Sequence, residues 1–489
     1  MSETADHSSR RLLLVAAIAT AAFGLAMAGR VPVGIPGQWV WRPNDLPVHL
    51  WPAGVAALLL VCVAWLICRP GWWARSRPAA RAVALALLIL CAFLVQLGLL
   101  NAIGVPWVHP GAVIASPVAT TYYSVSLEVR DPAQWVASYP QVMHLLPYHA
   151  RTHPPGLVLF FIGLRRLCAA LLPEPPPILT EIARAYEEFG IGPTPADAAA
   201  AIAAPIIISL LGALCLWPLY LLVRALVGPE AGICAAALAA GVPSLLLFGA
   251  SPDLIVLALA VGAAWLSYSA WQSASPLRAF VAGLLLALGL FVSLGLLTLV
   301  AWLAAWALLG VLKSPGRRAA VRRLALGVVA AAFGVVVFYT VLHLAVGYRP
   351  FAVAREALFA HRGVTTAETA RTYWLWVLLN PVEAALFAGL PLVVCALWST
   401  RGLSGRADLR PLRTFLLSWL IVVALLDLSG TVRGEVGRIW LFLLWPAALA
   451  AGAWLADRPH RAGLVAALLA LQLWQVLLMR GYLTVYDIF

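Results

Sequence analysis

Apolar runs of about 20 residues recur along the whole chain, and they limit its possible folds more than any other feature. Such a run matches the hydrocarbon thickness of a bilayer. Hydrophobic residues make up 63% of the 489 residues and charged residues only 11%, whereas a soluble domain has about 25% charged residues. Because a helix satisfies its own backbone hydrogen bonds in lipid, the pattern predicts an all-α polytopic membrane protein.

Basic residues are concentrated in short segments between the apolar runs. The net charge is +13 at pH 7, from 33 Lys and Arg against 20 Asp and Glu. The clusters lie at 69–81, 313–323, 401–413 and 458–461. Positive cytoplasmic loops are typical of membrane proteins, so this distribution argues against nucleic acid as a partner. We predict a multi-pass protein of the cell membrane, in contact with the lipid bilayer, with its N-terminus cytoplasmic and its C-terminus external.

The sequence predicts about 13 or 14 transmembrane helices in a core with two flanking regions. Residues 1–82 hold extra N-terminal helices, residues 83–455 the core with an external loop at 105–156, and residues 456–489 a C-terminal helix and external tail. The later spans are expected at 198–223, 231–249, 253–270, 279–311 (long enough for a hairpin), 324–346, 375–398, 414–429, 439–455 and 462–479.

One segment allows two topologies. Residues 157–172 are short and contain Arg165 and Arg166. If the acidic, Pro-rich segment 173–197 lies outside, residues 157–172 form a re-entrant or interfacial helix. If that segment is a cytoplasmic loop, residues 157–172 span the membrane.

Polar residues gather in the external loop and at the predicted outer ends of later helices. A charged group at membrane depth is costly, so each one is a functional hypothesis. The candidates are Tyr122, Tyr123, Glu128, Asp131, Arg151, His153, Asp253, Arg371, Glu435 and Arg438. Arginine binds phosphate oxygens through paired hydrogen bonds, and a carboxylate can act as general base toward a hydroxyl. The set therefore suits a phosphate-bearing lipid and a hydroxyl acceptor.

Three motifs in this order resemble those of a known family. The first is His153-Pro-Pro-Gly at a helix start, and the second is Ser251-Pro-Asp-Leu before an apolar helix and the Gly-rich hairpin 277–295. The third begins at Arg438 and reads RIWLFLLWP. Over about residues 83–455 they resemble the HPP/KPP, Ser/Thr-x-Asp-x-Leu and R-Y-x-L-P-x-x-P segments of GT-C membrane glycosyltransferases. That family includes protein O-mannosyltransferase-like enzymes and the aminoarabinose transferase of lipid A.

The resemblance implies a GT-C-like bundle that moves a sugar from a polyprenyl-phosphate donor to a glycan, lipid or protein acceptor at the outer face. It implies that His153 contacts the donor phosphate and that Arg438 lies in the late phosphate-side segment. We expect Arg151 and Arg371 to bind the same phosphate. Asp253 matches an active-site carboxylate that is a metal ligand in some members, so the resemblance suggests a divalent cation as a cofactor.

The remaining candidates have roles around the acceptor. Tyr122, Tyr123 and Glu435 are expected near it. The family has its catalytic Asp about 30 residues before HPP/KPP, but here that region reads Ala119-Thr-Thr-Tyr-Tyr. Either Glu128 or Asp131 takes this role from a shifted backbone, or the chemistry differs, or catalysis is absent.

Each motif also has a purely structural interpretation. His153 and Asp253 both stand where a helix begins, as an N-cap or beside prolines of the first turn. Asp131-Pro132 is a common helix start, and Glu128 is then a solvated loop charge. Glu383, after Asn380-Pro381, is equally typical of an acid in a first turn, which the helix dipole favours.

Two other functional classes fit the same composition. A transporter or flippase of a lipid-linked or anionic substrate would have broken helices with charges near the midplane. A catalytically inactive membrane scaffold is consistent with Thr120-Thr121 at the expected Asp position. The glycosyltransferase hypothesis requires the loop before His153, Asp253 and the start of the Arg438 helix to converge on one pocket at the non-cytoplasmic surface.

Overall fold

A computed structural model of the chain describes residues 2–29, 34–40, 42–44, 46–188, 193–363, 371–403 and 406–485. Helices dominate these residues, and the extended pairings described are isolated bridges. Among the described helices, eight are long and apolar enough to cross a bilayer: His7–Met27, Pro78–Leu100, Pro195–Leu226, Asp253–Ser273, Leu294–Leu312, Arg317–Val346, Ala407–Leu428 and Arg461–Tyr482. The predicted all-α polytopic membrane fold is confirmed.

Shorter apolar helices complete the bundle. Four of the described helices are apolar but have only 10–17 residues: Trp51–Ile67, Pro229–Ala239, Pro276–Val292 and Leu441–Ala456. Two further helices, Tyr373–Ala388 and Leu390–Gly402, are long and apolar enough to cross a bilayer only if they are counted as one. The predicted count of 13 or 14 is reached only if these shorter helices and the bent pair all count as spans.

The N-terminal helices pack on the C-terminal helix. They are Ser2–Met27, Trp51–Ile67, Trp72–Arg75 and Pro78–Leu100. The first two both contact Arg461–Tyr482, which brings the two ends of the sequence together. At the basic end of the bundle, the buried Arg461 guanidinium donates to the Cys68 carbonyl at 3.0 Å and pairs with Glu230 at 2.5 Å. The terminal regions are therefore part of one packed structure with the core.

The predicted external loop is folded into short helices. They are Val108–Ala115, Tyr122–Glu128, Pro132–Ala137, Tyr139–Val142, the 3₁₀ turn Met143–Leu145, and Tyr148–Arg151. Residues 120–126 are buried and pack against the helix Gly156–Leu171. Buried apolar and aromatic residues between prolines explain why this segment forms several one-turn helices instead of an extended loop.

Hydrogen bonds decide the open topology around 157–197. The Tyr186 hydroxyl, in the helix Pro177–Glu187, donates to the Val108 carbonyl at 2.9 Å. The helix Pro195–Leu214 is continued by Leu216–Leu226. In this second helix Tyr220 accepts a hydrogen bond from the Trp73 indole, which lies in the basic segment 69–81 at the opposite end of the bundle. Segment 173–188 therefore lies at the same end as the loop. Gly156–Leu171 connects the loop to this segment, which favours the re-entrant or interfacial alternative.

Prolines and a glycine break two predicted spans. The predicted span 231–249 is interrupted before Pro243, giving Pro229–Ala239 and Pro243–Leu247, because proline lacks a backbone N–H and clashes with the preceding turn. The span predicted at 375–398 is not one continuous helix, since its two halves meet at 105°. Gly389 stands at the break with φ of 99°, which an L side chain rarely adopts.

The segment 279–311 is divided into two helices, as the predicted hairpin required, but these helices make few contacts with each other. Pro276–Val292 and Leu297–Leu312 are joined through Ser293 and the 3₁₀ turn Leu294–Leu296. The following helix, Arg317–Val346, packs closely on Pro276–Val292. The rest of the bundle comprises Pro350–Gly363, Tyr373–Ala388, Leu390–Leu403, the 3₁₀ turn Ala407–Leu409, Arg410–Leu428, Val436–Ile439, Leu441–Leu444, Pro446–Ala456 and Arg461–Tyr482.

The close packing of Arg317–Val346 depends on Gly334. A Cβ atom at this position would overlap the backbone carbonyl of Phe280 on the neighbouring helix. We expect Gly334→Ala to force the helices apart and destabilise the protein by about 1–3 kcal/mol. The thermal unfolding midpoint in nanodiscs measures this. Gly327→Ala, on the same helix with nothing within 4 Å of the added Cβ, is the matched control, and an equal effect of both substitutions would contradict the packing argument.

Candidate functional site

A cavity of about 340 Å³ lies at the end of the bundle that holds the folded segment 105–156. We name it the Asp253 cavity. Its polar lining residues are Thr120, Tyr122, Tyr148, His149, Thr152, His153, Asp253, Ser293, Thr298, His361, Arg371, Thr431, Arg433, Glu435 and Arg438. Its apolar lining includes Leu157, Val256, Leu294, Leu426, Ile439 and Phe442. The three motifs found in the sequence therefore meet in one cavity, as the hypothesis required.

Arg438 joins two of these motifs through its ion pairs. Its Nη1 atom lies 3.4 Å from Asp253 Oδ2, and its Nη2 atom lies 2.9 Å from Glu435 Oε2. Burial alone would lower the pKa of the guanidinium, but Asp253 and Glu435 outweigh burial and raise it. Arg438 therefore stays charged between the start of the Asp253 helix and the start of its own helix.

Asp253 keeps one carboxylate oxygen without a protein partner. The Ser251 hydroxyl donates to Oδ2 at 2.6 Å, and Arg438 approaches the same oxygen. Within the part of the chain that the structure describes, Oδ1 receives no hydrogen bond. The Ser-Pro-Asp sequence produces this arrangement because Ser251 precedes the helix and Asp253 opens its first turn.

Glu435 occupies a backbone conformation that is uncommon for its residue type. Its φ is 58° and it precedes the one-turn helix Val436–Ile439. Left-handed non-glycine residues are found preferentially at functional sites. Burial would raise the pKa of this carboxyl, but the charges of Arg438 and Arg371 outweigh burial and lower the pKa to about 2. Glu435 is therefore ionised and a weak base.

Arg371 forms the opposite side of this charged group. Its Nη2 atom lies 3.3 Å from Glu435 Oε1, and its Nη1 atom donates to the Arg433 carbonyl. The guanidinium carbon lies 5.2 Å from the Trp376 ring centroid, a cation–π arrangement. Arg433 in turn donates to the Arg371 carbonyl at 3.0 Å. These contacts fix the two arginines relative to Arg438.

Two histidines of the cavity, His149 and His153, are neutral. His153 Nδ1 lies 2.9 Å from the His149 carbonyl oxygen, and since a carbonyl only accepts, Nδ1 carries the proton and Nε2 is an acceptor. Burial lowers the pKa of His153, and burial together with Arg438 lowers the pKa of His149 to about 3. The buried Tyr122 ring stands edge-on to His153 with centroids 5.9 Å apart. His153 is therefore a hydrogen-bonding group at neutral pH, not the cation expected from the motif.

Counting charges gives the cavity a positive excess. Among the described lining residues, Arg371, Arg433 and Arg438 are cationic, and Asp253 and Glu435 are anionic. With His149 and His153 neutral, the arginines of the lining outnumber its carboxylates by one. The cavity is thus electrostatically suited to a ligand that carries a single negative charge.

Four predicted site residues do not line this cavity. Glu128 and Asp131 are exposed, and Asp131 caps the helix Pro132–Ala137 by accepting from the Ala133 and Gln134 amides at 2.9 and 3.1 Å. The Tyr123 hydroxyl donates to the Asp197 carbonyl at 2.7 Å. The Arg151 guanidinium lies 5.7 Å from the Tyr148 ring centroid.

Thr120 and Thr121, which stand at the family's Asp position, have structural roles. Thr120 Oγ1 donates to the Ile114 carbonyl at 3.2 Å, and Thr121 Oγ1 accepts from the Ala150 amide at 3.2 Å. Thr121 also has a φ of 60°. Both hydroxyls therefore hold the short helices of the loop together, and neither is a carboxylate substitute.

The residues around Asp253 do not fit a divalent cation. No group of three His, Cys, Asp or Glu side chains among the described residues is arranged to hold a metal ion. Divalent hard cations require several oxygen ligands. Asp253 Oδ2 already faces Ser251 and the positive charge of Arg438, which would repel a cation. The groups that this site offers to a ligand are therefore its charged and hydrogen-bonding side chains.

A second cavity lies on the other side of Arg438 and Glu435. It has a volume of about 420 Å³, shares Thr120, His149, Arg371, Glu435 and Arg438 with the first, and adds Gln38, Trp39, Arg42, Trp376, Glu383, Phe387, Leu483 and Thr484. We name it the Glu383 cavity. Sequence analysis missed this role of Glu383, since Asn380-Pro381 before it indicated a helix start. Instead, Pro381 lies inside the helix Tyr373–Ala388.

Comparison of the sequence with protein-family models gives no match, and comparison with curated proteins also gives none. The GT-C resemblance therefore rests on the three motifs, and membership of that family stays a prediction.

The lowered pKa of Glu435 predicts a pH-dependent contribution to stability. The carboxylate of Glu435 has a pKa of about 2 in the folded state, against an ordinary value of about 4.3. Its charge therefore stabilises the fold fully at pH values above the ordinary pKa. This contribution is lost as the pH falls toward the folded-state pKa. We expect Glu435→Gln to unfold at a lower temperature than wild type at pH 7, and the gap to close between about pH 5 and about pH 2.

Thermal unfolding of both proteins across this pH range measures the gap. Glu128→Gln, which changes an exposed carboxylate outside the cavity, is the control and should stay close to wild type throughout. A gap for Glu435→Gln that is constant from pH 7 to pH 2 would show that its charge does not stabilise the fold.

Proposed function

We propose that the protein is a membrane glycosyltransferase that moves a sugar from a polyprenyl-phosphate donor to a hydroxyl acceptor at the outer face of the cytoplasmic membrane. The observation that carries this proposal is Asp253, whose Oδ2 is held by Ser251 and Arg438 while Oδ1 has no partner among the described residues. A fixed carboxylate beside several arginines suits general-base catalysis next to an anionic leaving group.

The charge of the cavity supports the donor assignment. A polyprenyl-phosphate sugar is a phosphodiester with one negative charge, which matches the single positive excess of the lining residues. Arg371, Arg433 and Arg438 are the phosphate ligands in this proposal. Leu157, Leu294 and Phe442 supply apolar surface for the first isoprene units. His153 Nε2, a neutral acceptor, binds a hydroxyl of the donor sugar.

The proposed reaction is a single displacement. The acceptor hydroxyl transfers its proton to Asp253 Oδ1 as its oxygen forms a bond to the anomeric carbon. The bond from that carbon to the phosphate oxygen breaks, and the phosphate leaves with the electron pair. Arg371 and Arg438 stabilise the charge that develops on the leaving oxygen. Attack opposite the leaving group inverts the anomeric carbon.

One observation favours a transporter as a second candidate. The halves of the helix pair around Gly389 meet at 105°, and Glu383 in the first half is only 6% exposed. Broken helices with buried polar groups are typical of transporter binding sites. A transporter would carry the lipid-linked sugar across the bilayer without forming a new glycosidic bond.

Substitution of Asp253 tests the enzyme directly. Loss of the general base should lower kcat of Asp253→Asn by about 100-fold or more, while the phosphate ligands remain. Proteoliposomes containing native-membrane lipid and protein acceptors would receive polyprenyl phosphate linked to radiolabelled glucose, mannose, galactose or aminoarabinose, and label in the acceptor fraction would be counted. Glu128→Gln and Asp131→Asn are matched controls and should retain wild-type turnover.

Three results would change the proposal. Turnover lost in Asp131→Asn or Glu128→Gln but kept in Asp253→Asn would move the base into the external loop. Label that crosses the vesicle membrane without entering an acceptor would identify a transporter. Wild-type protein that neither transfers nor transports any of the four sugars would rule out both functions.

The proposal also requires the Asp253 cavity to face outward. Glu128, at the cavity end, and Arg318, in the basic segment 313–323, are both exposed. We expect Glu128→Cys to react with a membrane-impermeant maleimide in intact spheroplasts, and Arg318→Cys to react only after permeabilisation. Wild type, with its seven cysteines, gives the background signal. The reverse labelling pattern would place the cavity at the cytoplasmic face.

A further inference from the structure

The Glu383 cavity contains a buried carboxylate oxygen that the fold leaves unused. Glu383 is 6% exposed, and the backbone N–H groups of Glu435 and Gly437 lie next to its carboxylate. Its Oε2 atom is buried without a hydrogen-bond partner among the described residues. An unpaired buried acceptor is costly, so a ligand with a hydrogen-bond donor would satisfy a group that the protein does not.

The two ends of the chain form one wall of this cavity. The Thr484 amide donates to the Arg42 carbonyl and the Asn44 amide donates to the Tyr482 carbonyl, each at 3.0 Å. Gln38 Oε1 accepts from the Thr372 amide at 2.8 Å, at the start of the helix that contains Glu383. These bonds place Trp39 and Leu483 over the cavity. The N-terminal region thus contributes directly to a site beside the Asp253 cavity.

The lining does not favour a simple ion. Arg42, Arg371 and Arg438 outnumber the two carboxylates, Glu383 and Glu435, so a cation is repelled. The aromatic face of Trp376 already has the Arg371 guanidinium near it. An anion would meet the unpaired Oε2 of Glu383. A neutral ligand with hydroxyl groups can donate to Glu383 and accept from arginines at the same time.

Flat aromatic surface completes the match to a sugar ring. Trp39, Trp376 and Phe387 line the cavity together with the polar groups. A pyranose has C–H faces that pack on aromatic rings and an edge of hydroxyls that both donate and accept. Pockets with apolar walls and a few fixed polar groups are typical of specific small-ligand sites.

We propose that the Glu383 cavity is a carbohydrate-binding subsite in which Glu383 Oε2 accepts from a sugar hydroxyl and Trp39 packs on the ring. As the site of a glycan acceptor this rests on the proposed function, because the shared Arg438 and Glu435 place the bound sugar next to the Asp253 cavity. As a binding site it is independent of catalysis.

Saturation-transfer NMR on the full-length protein in nanodiscs tests the subsite. The probes are methyl α-D-mannoside, methyl β-D-glucoside and methyl β-D-galactoside. The matched control probe is 2-methoxytetrahydropyran, which keeps the ring and lacks the ring hydroxyls. We expect at least one glycoside to bind wild type and the control probe not to bind. Glu383→Ala should weaken binding by about tenfold or more.

Two further variants keep the test decisive. Trp39→Ala changes a partly exposed residue of the N-terminal segment and should also weaken binding, even if Glu383→Ala fails to fold. Glu128→Gln should bind glycosides as wild type does, because Glu128 is exposed and lines neither cavity.

The outcomes separate the two proposals. Glycoside binding that depends on Glu383 and Trp39, in a protein that transfers no sugar, would support the subsite and reject the proposed enzyme. No glycoside binding to wild type, or binding unchanged in both variants, would overturn the subsite and leave water as the occupant beside Oε2. Binding of tetramethylammonium in place of the glycosides would also overturn it.

Discussion

The Arg438 guanidinium is the contact on which the arrangement of this site depends. It lies between Asp253, which opens one transmembrane helix, and Glu435, which precedes another, at 3.4 and 2.9 Å. A charge in such surroundings is stable only when it is paired. Removal of either carboxylate would leave Arg438 partly uncompensated. This requirement ties helices that are 185 residues apart in sequence to one end of the bundle.

Backbone strain is concentrated around the same contact. Glu435 and Thr121 are two of four described non-glycine residues with positive φ, and both adjoin the Asp253 cavity. Such conformations persist where surrounding contacts over-determine them. For Glu435 these contacts are Arg371 and Arg438, and for Thr121 the bond from the Ala150 amide. The local cost is offset by electrostatics and packing, which favours a functional role for this end of the molecule.

Specific residues show how far sequence reasoning reached. Most spans, the division of 276–312 into two helices and the convergence of His153, Asp253 and Arg438 could be predicted, because apolar length and helix-start motifs are local signals. The bend at Gly389 could not, since a glycine in an apolar run is equally compatible with a straight helix. The neutral state of His153 also escaped prediction, because it depends on burial and on the His149 carbonyl. The sequence indicated that Glu383 is an acid in the first turn of a helix, but Pro381 lies inside the helix Tyr373–Ala388.

The sequence by itself determined that this is a helical membrane protein with its candidate site residues near helix ends, because bilayer thickness and the cost of buried charge act on composition and spacing alone. Only the tertiary structure decided which polar groups meet. It left Asp253 Oδ1 and Glu383 Oε2 without partners among the described residues and joined residues 42–44 to residues 482–484 beside a cavity. Those outcomes depend on packing between segments far apart in the chain, which no local pattern encodes.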